Sequence, residues 1–114
     1  MLQLPLKNSN RTMNLLTKTC LKPVPALYAQ DGKGQAAIAY LKLFIDSFTW
    51  YITEIDPQTG EAFGLTVSSH CPEGELGYIS VPELAQAQGS IGHGVERDRY
   101  FKPKPLSECP RLTV

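Results

Sequence analysis

Residues 49–67 constrain the fold more than any other part of the sequence, because they predict a β-hairpin that carries the single tryptophan, Trp50. The first arm is rich in aromatic and β-branched residues, which suit a pleated, half-buried surface. In the connection, Asp56 can bond its own turn backbone and Pro57 presets its backbone angle, while Gly60 can adopt the positive φ that closes the loop. We therefore expect a central antiparallel hairpin.

Strand alternation assigns the side chains of the first arm to two faces of the sheet. We expect one face to carry Trp50, Ile52, Glu54 and Asp56, and the other to carry Tyr51, Thr53 and Ile55. The two carboxylates are then expected on an outward surface, where they serve recognition rather than reaction.

The segments on either side of the hairpin predict further strands and short helices. Residues 36–45 alternate as an extended strand, and residues 75–79 predict another short strand. The sequence from Ser80 has the pattern of a capping box, and a second short helix follows Thr17 and ends before Pro23. The prediction is an α+β fold: a small antiparallel sheet of about four strands with two or three short helices packed on it.

The length of 114 residues suits one domain. We divide the chain into a flexible lead-in (residues 1–13), a single α+β domain (residues 14–105) and an extended tail (residues 106–114). The prolines near the C-terminus favour extended backbone in that tail.

Charge is distributed unevenly along the chain, although the formal net charge is zero. Residues 1–45 carry six Lys or Arg and one Asp, and residues 99–114 carry four Lys or Arg and one Glu. Residues 46–98 carry nine Asp or Glu and one Arg. A neutral whole excludes a global field that attracts nucleic acid or membranes, so we expect the basic ends to pair with the acidic centre.

The cysteines and the apolar runs indicate a soluble cytoplasmic protein without a membrane partner. Cys20, Cys71 and Cys109 are odd in number and widely spaced, which argues against a disulfide framework. The longest apolar run, residues 36–41, is far shorter than a bilayer span.

A set of phrases in fixed order gives the chain a family resemblance. The phrases are Leu15-Leu16-Thr17-Lys18, residues 49–56, Phe63-Gly64-Leu65, residues 75–84, residues 95–98 and Phe101-Lys102-Pro103. Together they resemble the family catalogued as domain of unknown function 2958, over about residues 14–105. That resemblance implies a single α+β domain and an origin on plasmids or integrative conjugative elements, and it supplies no catalytic residue.

The leading functional prediction is a protein–protein interaction module, an accessory protein of a mobile genetic element with an unidentified protein partner. No complete catalytic motif is present, which favours a non-enzymatic role without a cofactor. The candidate partner-binding residues are Trp50, Glu54, Asp56, Glu75, Tyr78, Glu96 and Arg97.

An alternative is single-stranded nucleic-acid binding through the C-terminal basic and aromatic segment. Its candidate residues are Arg97, Arg99, Tyr100, Phe101, Lys102 and Lys104. Basic residues can follow phosphates while aromatic rings stack on bases, but the same pattern fits a solvated edge strand whose charges prevent edge pairing.

A metal-dependent enzyme that uses clustered carboxylates is the second alternative, because oxygen ligands suit divalent cations. The same acids equally fit a turn residue, Asp56, and surface ion pairs. His70, Cys71, His93 and Cys109 lack the close-pair spacing of structural zinc sites. We therefore assign no metal ligand and no catalytic residue from the sequence.

Overall fold

Antiparallel strands account for most of the regular structure in a computed structural model of the chain, which describes residues 15–87 and 94–112. In the described part of the chain, α1 (Lys18–Leu21) and α2 (Val81–Gln86) are the α-helical segments of four or more residues, and short 3₁₀ turns cover Gly34–Ala36 and Leu106–Glu108. The strands are β1 (Ile38–Ala39), β2 (Leu41–Ile45), β3 (Phe48–Ile55), β4 (Glu61–Ser68), β5 (Cys71–Ser80), β6 (Glu96–Arg97) and β7 (Lys104–Pro105).

The main sheet has five strands in the order β5-β4-β3-β2-β6, and β1 pairs with β7 in a separate two-stranded sheet. The prediction of an α+β fold, with about four strands and two or three helices packed on them, is therefore wrong. The fold is β-rich, because the chain from Cys71 to Ser80 is one continuous strand and the described helices have only four and six residues. None of the residues of α1 is fully buried, and only Cys20 and Leu21 of this helix pack against one face of the sheet.

The central hairpin of β3 and β4 is confirmed, and its turn is built from the residues that predicted it. The Asp56 carboxylate accepts a hydrogen bond from the Gln58 backbone N–H at 2.9 Å, and the Gly60 N–H donates to the Asp56 carbonyl at 2.8 Å. Gly60 has φ of +79°, the left-handed conformation that glycine adopts without a steric penalty.

A β-bulge at Thr53 changes the predicted alternation along β3. Ile52 is opposite Gly64 and Glu54 is opposite Phe63, so Thr53 is an extra residue on this strand. A bulge of one residue moves every later side chain to the other face. The expectation that Glu54 shares a face with Trp50 is therefore wrong.

Each face of the main sheet buries its own cluster of apolar side chains. On the first face, Trp50, Ile52 and Ile55 pack with residues of β2, β4, β5 and α2 and with Leu15 and Leu16. On the second face, the buried residues are Ala37, Ala39, Tyr51, Leu65, Val67, Leu106 and Cys109. Alternation along β3 supplies both clusters, and the bulge returns Ile55 to the face of Ile52.

The segment after Pro105, separated above as a tail, contributes to the second cluster. Leu106 is fully buried, and the Tyr51 hydroxyl donates to the Pro110 carbonyl at 2.7 Å. One amine of the Arg111 guanidinium donates to the carbonyls of Leu106 and Cys109, both at 2.7 Å. These bonds hold the last described residues against the sheet.

Candidate functional site

A pocket of about 370 Å³ opens on the second face of the sheet, between β5 and the loop that contains Tyr28. We call it the aromatic pocket. Its walls are the side chains of Tyr28, Phe63, Leu76 and Tyr78, with Glu54 at its base. The register explains this grouping: Glu54 lies opposite Phe63, and Phe63 lies opposite Tyr78, and paired residues in antiparallel strands point to the same face.

Glu54 fixes the loop that forms one wall of the aromatic pocket. Its side chain is 96% buried, with 4% relative exposure, and its two oxygens accept hydrogen bonds from the backbone N–H groups of Tyr28 and Gln30, each at 2.7 Å. Hydrogen bonds to a charged acceptor are among the stronger ones in proteins. The carboxylate therefore holds the loop onto the sheet, a role that the sequence did not predict.

Gln30 completes the attachment of the same loop. Its amide nitrogen donates to the carbonyls of Ile38 and Thr53, both at 2.9 Å, and its amide oxygen accepts from the Ile38 N–H at 2.7 Å. Buried polar groups must be paired to avoid a desolvation penalty. The Gln30 side chain meets this requirement and joins the loop to both β1 and β3.

Tyr28 adopts a strained backbone conformation at the rim of the aromatic pocket. Its φ of +74° is unusual for a residue with a bulky side chain, and it aims the Tyr28 N–H at Glu54. Such strain persists only where surrounding contacts enforce it, and it is often found at functional sites. The result is an exposed phenol beside the opening.

Tyr28 and Tyr78 form a hydroxyl pair at that opening. The Tyr78 hydroxyl donates to the Tyr28 hydroxyl at 3.2 Å, although the two side chains are 57% and 65% exposed. This hydrogen bond, together with partial desolvation, raises the pKa of Tyr78 above its ordinary value. Two large exposed rings held next to a pocket are a typical feature of binding surfaces.

Strand β5 forms the edge of the main sheet beside the aromatic pocket, and no strand of the described residues pairs with its outer side. The Val81 N–H donates to the Gly60 carbonyl at 3.0 Å, which identifies Gly60 and Val81 as a hydrogen-bonded pair. Such pairs alternate with non-hydrogen-bonded pairs along antiparallel strands. By this alternation, the backbone N–H and C=O groups of Leu76 and Tyr78 point away from β4.

The other predicted partner-binding residues lie apart from the aromatic pocket. Trp50 is buried in the first cluster and stacks on Phe48, with ring centroids 5.5 Å apart. Asp56 forms the hairpin turn, and Glu75 is exposed on β5 opposite Thr66. Of the seven predicted residues, the aromatic pocket contains Glu54 and Tyr78.

Glu96 and Arg97 lie on β6, at the sheet edge opposite β5. Glu96 is exposed, whereas Arg97 is half-buried and its Nε donates to the Leu15 carbonyl at 2.8 Å. The predicted carboxylates are therefore divided between the interior, a turn and two opposite edges.

An open cleft of about 830 Å³ next to β6 contains part of the predicted nucleic-acid segment. Its charged lining residues are Lys42, Arg97 and Arg99, and Asp46, Glu96 and Asp98. Lys42 and Asp98 form an ion pair at 3.7 Å. The equal number of both charges gives the cleft no net positive field with which to attract phosphates.

The aromatic residues of the same segment differ in exposure. Tyr100 is 91% exposed, while Phe101 packs against Tyr51 with ring centroids 5.9 Å apart. Lys104 Nζ lies 5.3 Å from the centre of the Phe101 ring, and Lys102 is exposed. Nucleic-acid binding by these residues stays a prediction.

The histidines and cysteines do not form a metal centre in residues 15–87 and 94–112, where no three His, Cys, Asp or Glu side chains are placed to hold an ion. His70 is exposed in the two-residue turn before β5, and Cys71 begins that strand. Burial raises the pKa of the Cys109 thiol, which disfavours the reactive thiolate. His93 lies outside the described residues.

Sequence reasoning missed Tyr28, Gln30, Phe63 and Leu76 as parts of one site. The loop from residue 28 to residue 34 had only its glycines as a signal, and nothing in the sequence joined it to β3. The spacing of Trp50, Ile52 and Ile55, which changes from two to three residues, was an available sign of the bulge.

The fold and the aromatic pocket define a small β-rich protein with a ligand-sized cavity beside a sheet edge. The chain belongs to the family described as Protein of unknown function (DUF2958), whose model matches residues 10–111. This match confirms the resemblance noted in the sequence. Comparison with curated proteins and with solved structures finds no match. None of the described helices has both the length and the apolar character needed to cross a bilayer.

Proposed function

We propose that the protein is a protein–protein interaction module that binds an extended segment of its partner along β5. The observation that carries this proposal is the open edge of β5 next to the aromatic pocket. An extended segment can add to such an edge through main-chain hydrogen bonds, and neighbouring pockets for alternate side chains then provide specificity.

The outer edge of β5 has the length and composition that strand addition requires. From Gly74 to Ser80 the strand contains no proline, and its Leu76 and Tyr78 side chains are 39% and 57% exposed. An exposed edge with apolar side chains is the kind of surface that pairs with another chain. A partner strand would lie directly beside both side chains.

The chain itself already makes backbone contacts to the start of β5. The Leu112 N–H donates to the Pro72 carbonyl at 3.2 Å, and Arg111 Nε donates to the Glu73 carbonyl at 2.8 Å. These bonds occupy only the first residues of the strand, and within residues 15–87 and 94–112 no backbone hydrogen bond reaches the outer side of Leu76 or Tyr78.

We further propose a cytoplasmic accessory role on a mobile genetic element, which is the setting that the resemblance noted in the sequence implies. The proposal predicts that genes for plasmid maintenance or conjugation flank the coding sequence. A survey of the flanking genes tests this setting independently of the binding experiments, and housekeeping neighbours throughout would refute it.

The strand-addition proposal can be tested with peptides selected from a displayed library of random twelve-residue sequences on the immobilised full-length protein. When a selected peptide binds, we expect the amide protons of Leu76 and Tyr78 to gain protection from hydrogen exchange. The amides of Gly77 and Ile79 already face β4 by the same alternation, so their exchange should change little. Methylation of a backbone nitrogen of the peptide should weaken binding when it falls on every second residue, because alternate residues of an added strand donate their N–H groups to β5.

Matched variants locate the binding surface in the same experiment. Tyr78→Ala removes a ring at the aromatic pocket and should weaken binding, whereas Tyr100→Ala removes a more exposed ring near the opposite edge and should not. Selection of no specific binder, or binding that is lost with Tyr100→Ala and kept with Tyr78→Ala, would refute the proposal.

A further inference from the structure

We infer that the aromatic pocket binds a cationic side chain, arginine or lysine, from the extended partner segment, an inference that rests on the proposed function. The pocket combines aromatic walls with a buried carboxylate, and no Lys or Arg is among the residues that line it. The ligand chemistry follows from this combination and from the charge around β5.

Three aromatic side chains, Tyr28, Phe63 and Tyr78, line the aromatic pocket. The rings of Phe63 and Tyr78 have centroids 5.3 Å apart and planes at 80° to each other, and the hydroxyl bond to Tyr78 places Tyr28 as a third ring at the opening. The face of an aromatic ring is electronegative and attracts ammonium or guanidinium groups within about 6 Å. The ring faces that are open to the cavity therefore favour a positive group over a neutral one.

The base of the aromatic pocket adds a negative charge. Each oxygen of Glu54 accepts one backbone hydrogen bond, and an ionised carboxylate oxygen has room for a second. Glu54 forms no ion pair with a Lys or Arg of residues 15–87 and 94–112. Asp31, an exposed residue of the lining, contributes a second carboxylate.

The residues around the pocket also carry negative charge. Residues 43–96 contain no Lys or Arg. In this part of the chain, the exposed acids on β4, β5 and α2 are Glu61, Glu73, Glu75 and Glu83. A partner segment that approaches β5 therefore meets a negative field, which favours basic segments.

The position of the pocket also selects a long side chain. A segment added to β5 is about one strand spacing, roughly 5 Å, from Tyr78 and about two spacings from Phe63. Its side chain must extend across Leu76 and Tyr78 to enter the pocket. Arginine and lysine have this length, and their apolar stems can lie along Leu76 while the charged ends enter.

Two small probes of nearly equal shape test the inference without a known partner. Methylguanidinium is cationic and methylurea is its neutral counterpart, and each is titrated into the full-length protein while backbone amide shifts are recorded by NMR. We expect saturable shifts for Tyr28, Gln30, Gly32 and Tyr78 with methylguanidinium only. Equal shifts with both probes, or none at these amides with methylguanidinium, would overturn the inference.

Variants then assign the binding to the walls and the charge of the pocket. Tyr78→Leu keeps an apolar wall but removes the ring, and should weaken methylguanidinium binding by roughly threefold to thirtyfold, as expected for loss of one cation–π contact. Asp31→Asn should weaken it less, and Tyr100→Leu should leave it unchanged. Weakening by Tyr100→Leu but not by Tyr78→Leu would place the cation elsewhere and refute the assignment.

The two proposals fail in different ways. If selected peptides protect the Leu76 and Tyr78 amides but contain no basic residue, and methylguanidinium does not bind, strand addition holds and the cation site is wrong. If methylguanidinium binds in the aromatic pocket but no peptide protects these amides, the pocket chemistry holds and the proposed strand addition is wrong.

Discussion

Glu54 shows how one buried carboxylate can organise a loop. Both of its oxygens accept backbone N–H groups from that loop, and one of these donors belongs to the strained Tyr28. Glu54 therefore contributes to stability and to the shape of the aromatic pocket at the same time. A positive φ in a residue other than glycine costs of the order of 1–3 kcal/mol, and the two charge-assisted bonds offset that cost.

We predict that Glu54→Gln lowers the free energy of unfolding by about 2–4 kcal/mol, because the new amide group sets a donor against a backbone donor. Chemical denaturation at neutral pH measures the change. Glu61→Gln, an exposed position on the neighbouring strand, is the control and should change stability by less than about 0.5 kcal/mol. Equal effects of both substitutions would contradict the structural role of Glu54.

At the scale of the elements, the hairpin was predictable because its turn chemistry is local. Asp56, Pro57 and Gly60 specify the connection without reference to the rest of the chain, and the capping of α2 by Ser80 is equally local, since its hydroxyl accepts the Glu83 N–H. The bulge at Thr53 was not predictable in the same way. It depends on how β3 fits against β4 and on the buried partners of Glu54, which are distant in sequence.

The candidate site was only partly predictable for the same reason. Tyr78 and Glu54 were named from the sequence, but as members of an outward acidic surface that the fold does not assemble. The aromatic pocket depends on a loop from residue 28 to residue 34 that reaches β3 through backbone donors. Every residue except proline has a backbone N–H, so the sequence does not indicate which of them bind Glu54. The contact can be recognised only in the three-dimensional structure.

Gly64 and Gly77 provide a matched test of how β3 and β4 approach each other at the bulge. The two glycines are opposite each other on β4 and β5. A Cβ at Gly64 would overlap the carbonyl oxygen of Tyr51, whereas a Cβ at Gly77 would have no atom within 4 Å. Glycine is therefore required at position 64 of β4, beside the bulge of β3, and not at position 77.

We predict that Gly64→Ala lowers the free energy of unfolding by at least about 3 kcal/mol or prevents folding, because the backbone of β3 must move away. Gly77→Ala should be neutral or stabilising by up to about 1 kcal/mol, since alanine loses less conformational entropy in a strand. Thermal denaturation of both variants checks the difference. Comparable losses in the two variants would show that the close approach at Gly64 is not a constraint.

At the scale of the whole molecule, the second cluster joins parts of the chain that are far apart in sequence. Tyr51 of β3 and Cys109 near the C-terminus are both buried there, and the Tyr51 hydroxyl donates to Pro110. Burial raises the pKa of Tyr51 above its ordinary value of 10.0, with the nearby Cys109 as a second cause. Burial is also the main cause of the raised pKa of Cys109, whose ordinary value is 9.0.

These raised pKa values predict that the protein loses stability in alkali. Above about pH 9 to 10 the unfolded chain releases protons that the native state retains, so the free energy of unfolding falls as the pH rises. Each group contributes at most about 1.4 kcal/mol per pH unit. Below the ordinary values both states keep these protons, and the two groups cause no dependence on pH.

Urea denaturation between pH 7.5 and pH 11 measures this dependence, and two variants assign it. Tyr51→Phe should cost about 1 kcal/mol at neutral pH through the lost hydrogen bond to Pro110, yet its stability should decline less steeply above pH 10. Cys109→Ala should flatten the decline that begins near pH 9, whereas Tyr100→Phe, at an exposed position, should follow the parent protein. If the free energy of unfolding declines as steeply in both core variants as in the parent, other groups cause the pH dependence. The second cluster would then not be the source of the instability in alkali.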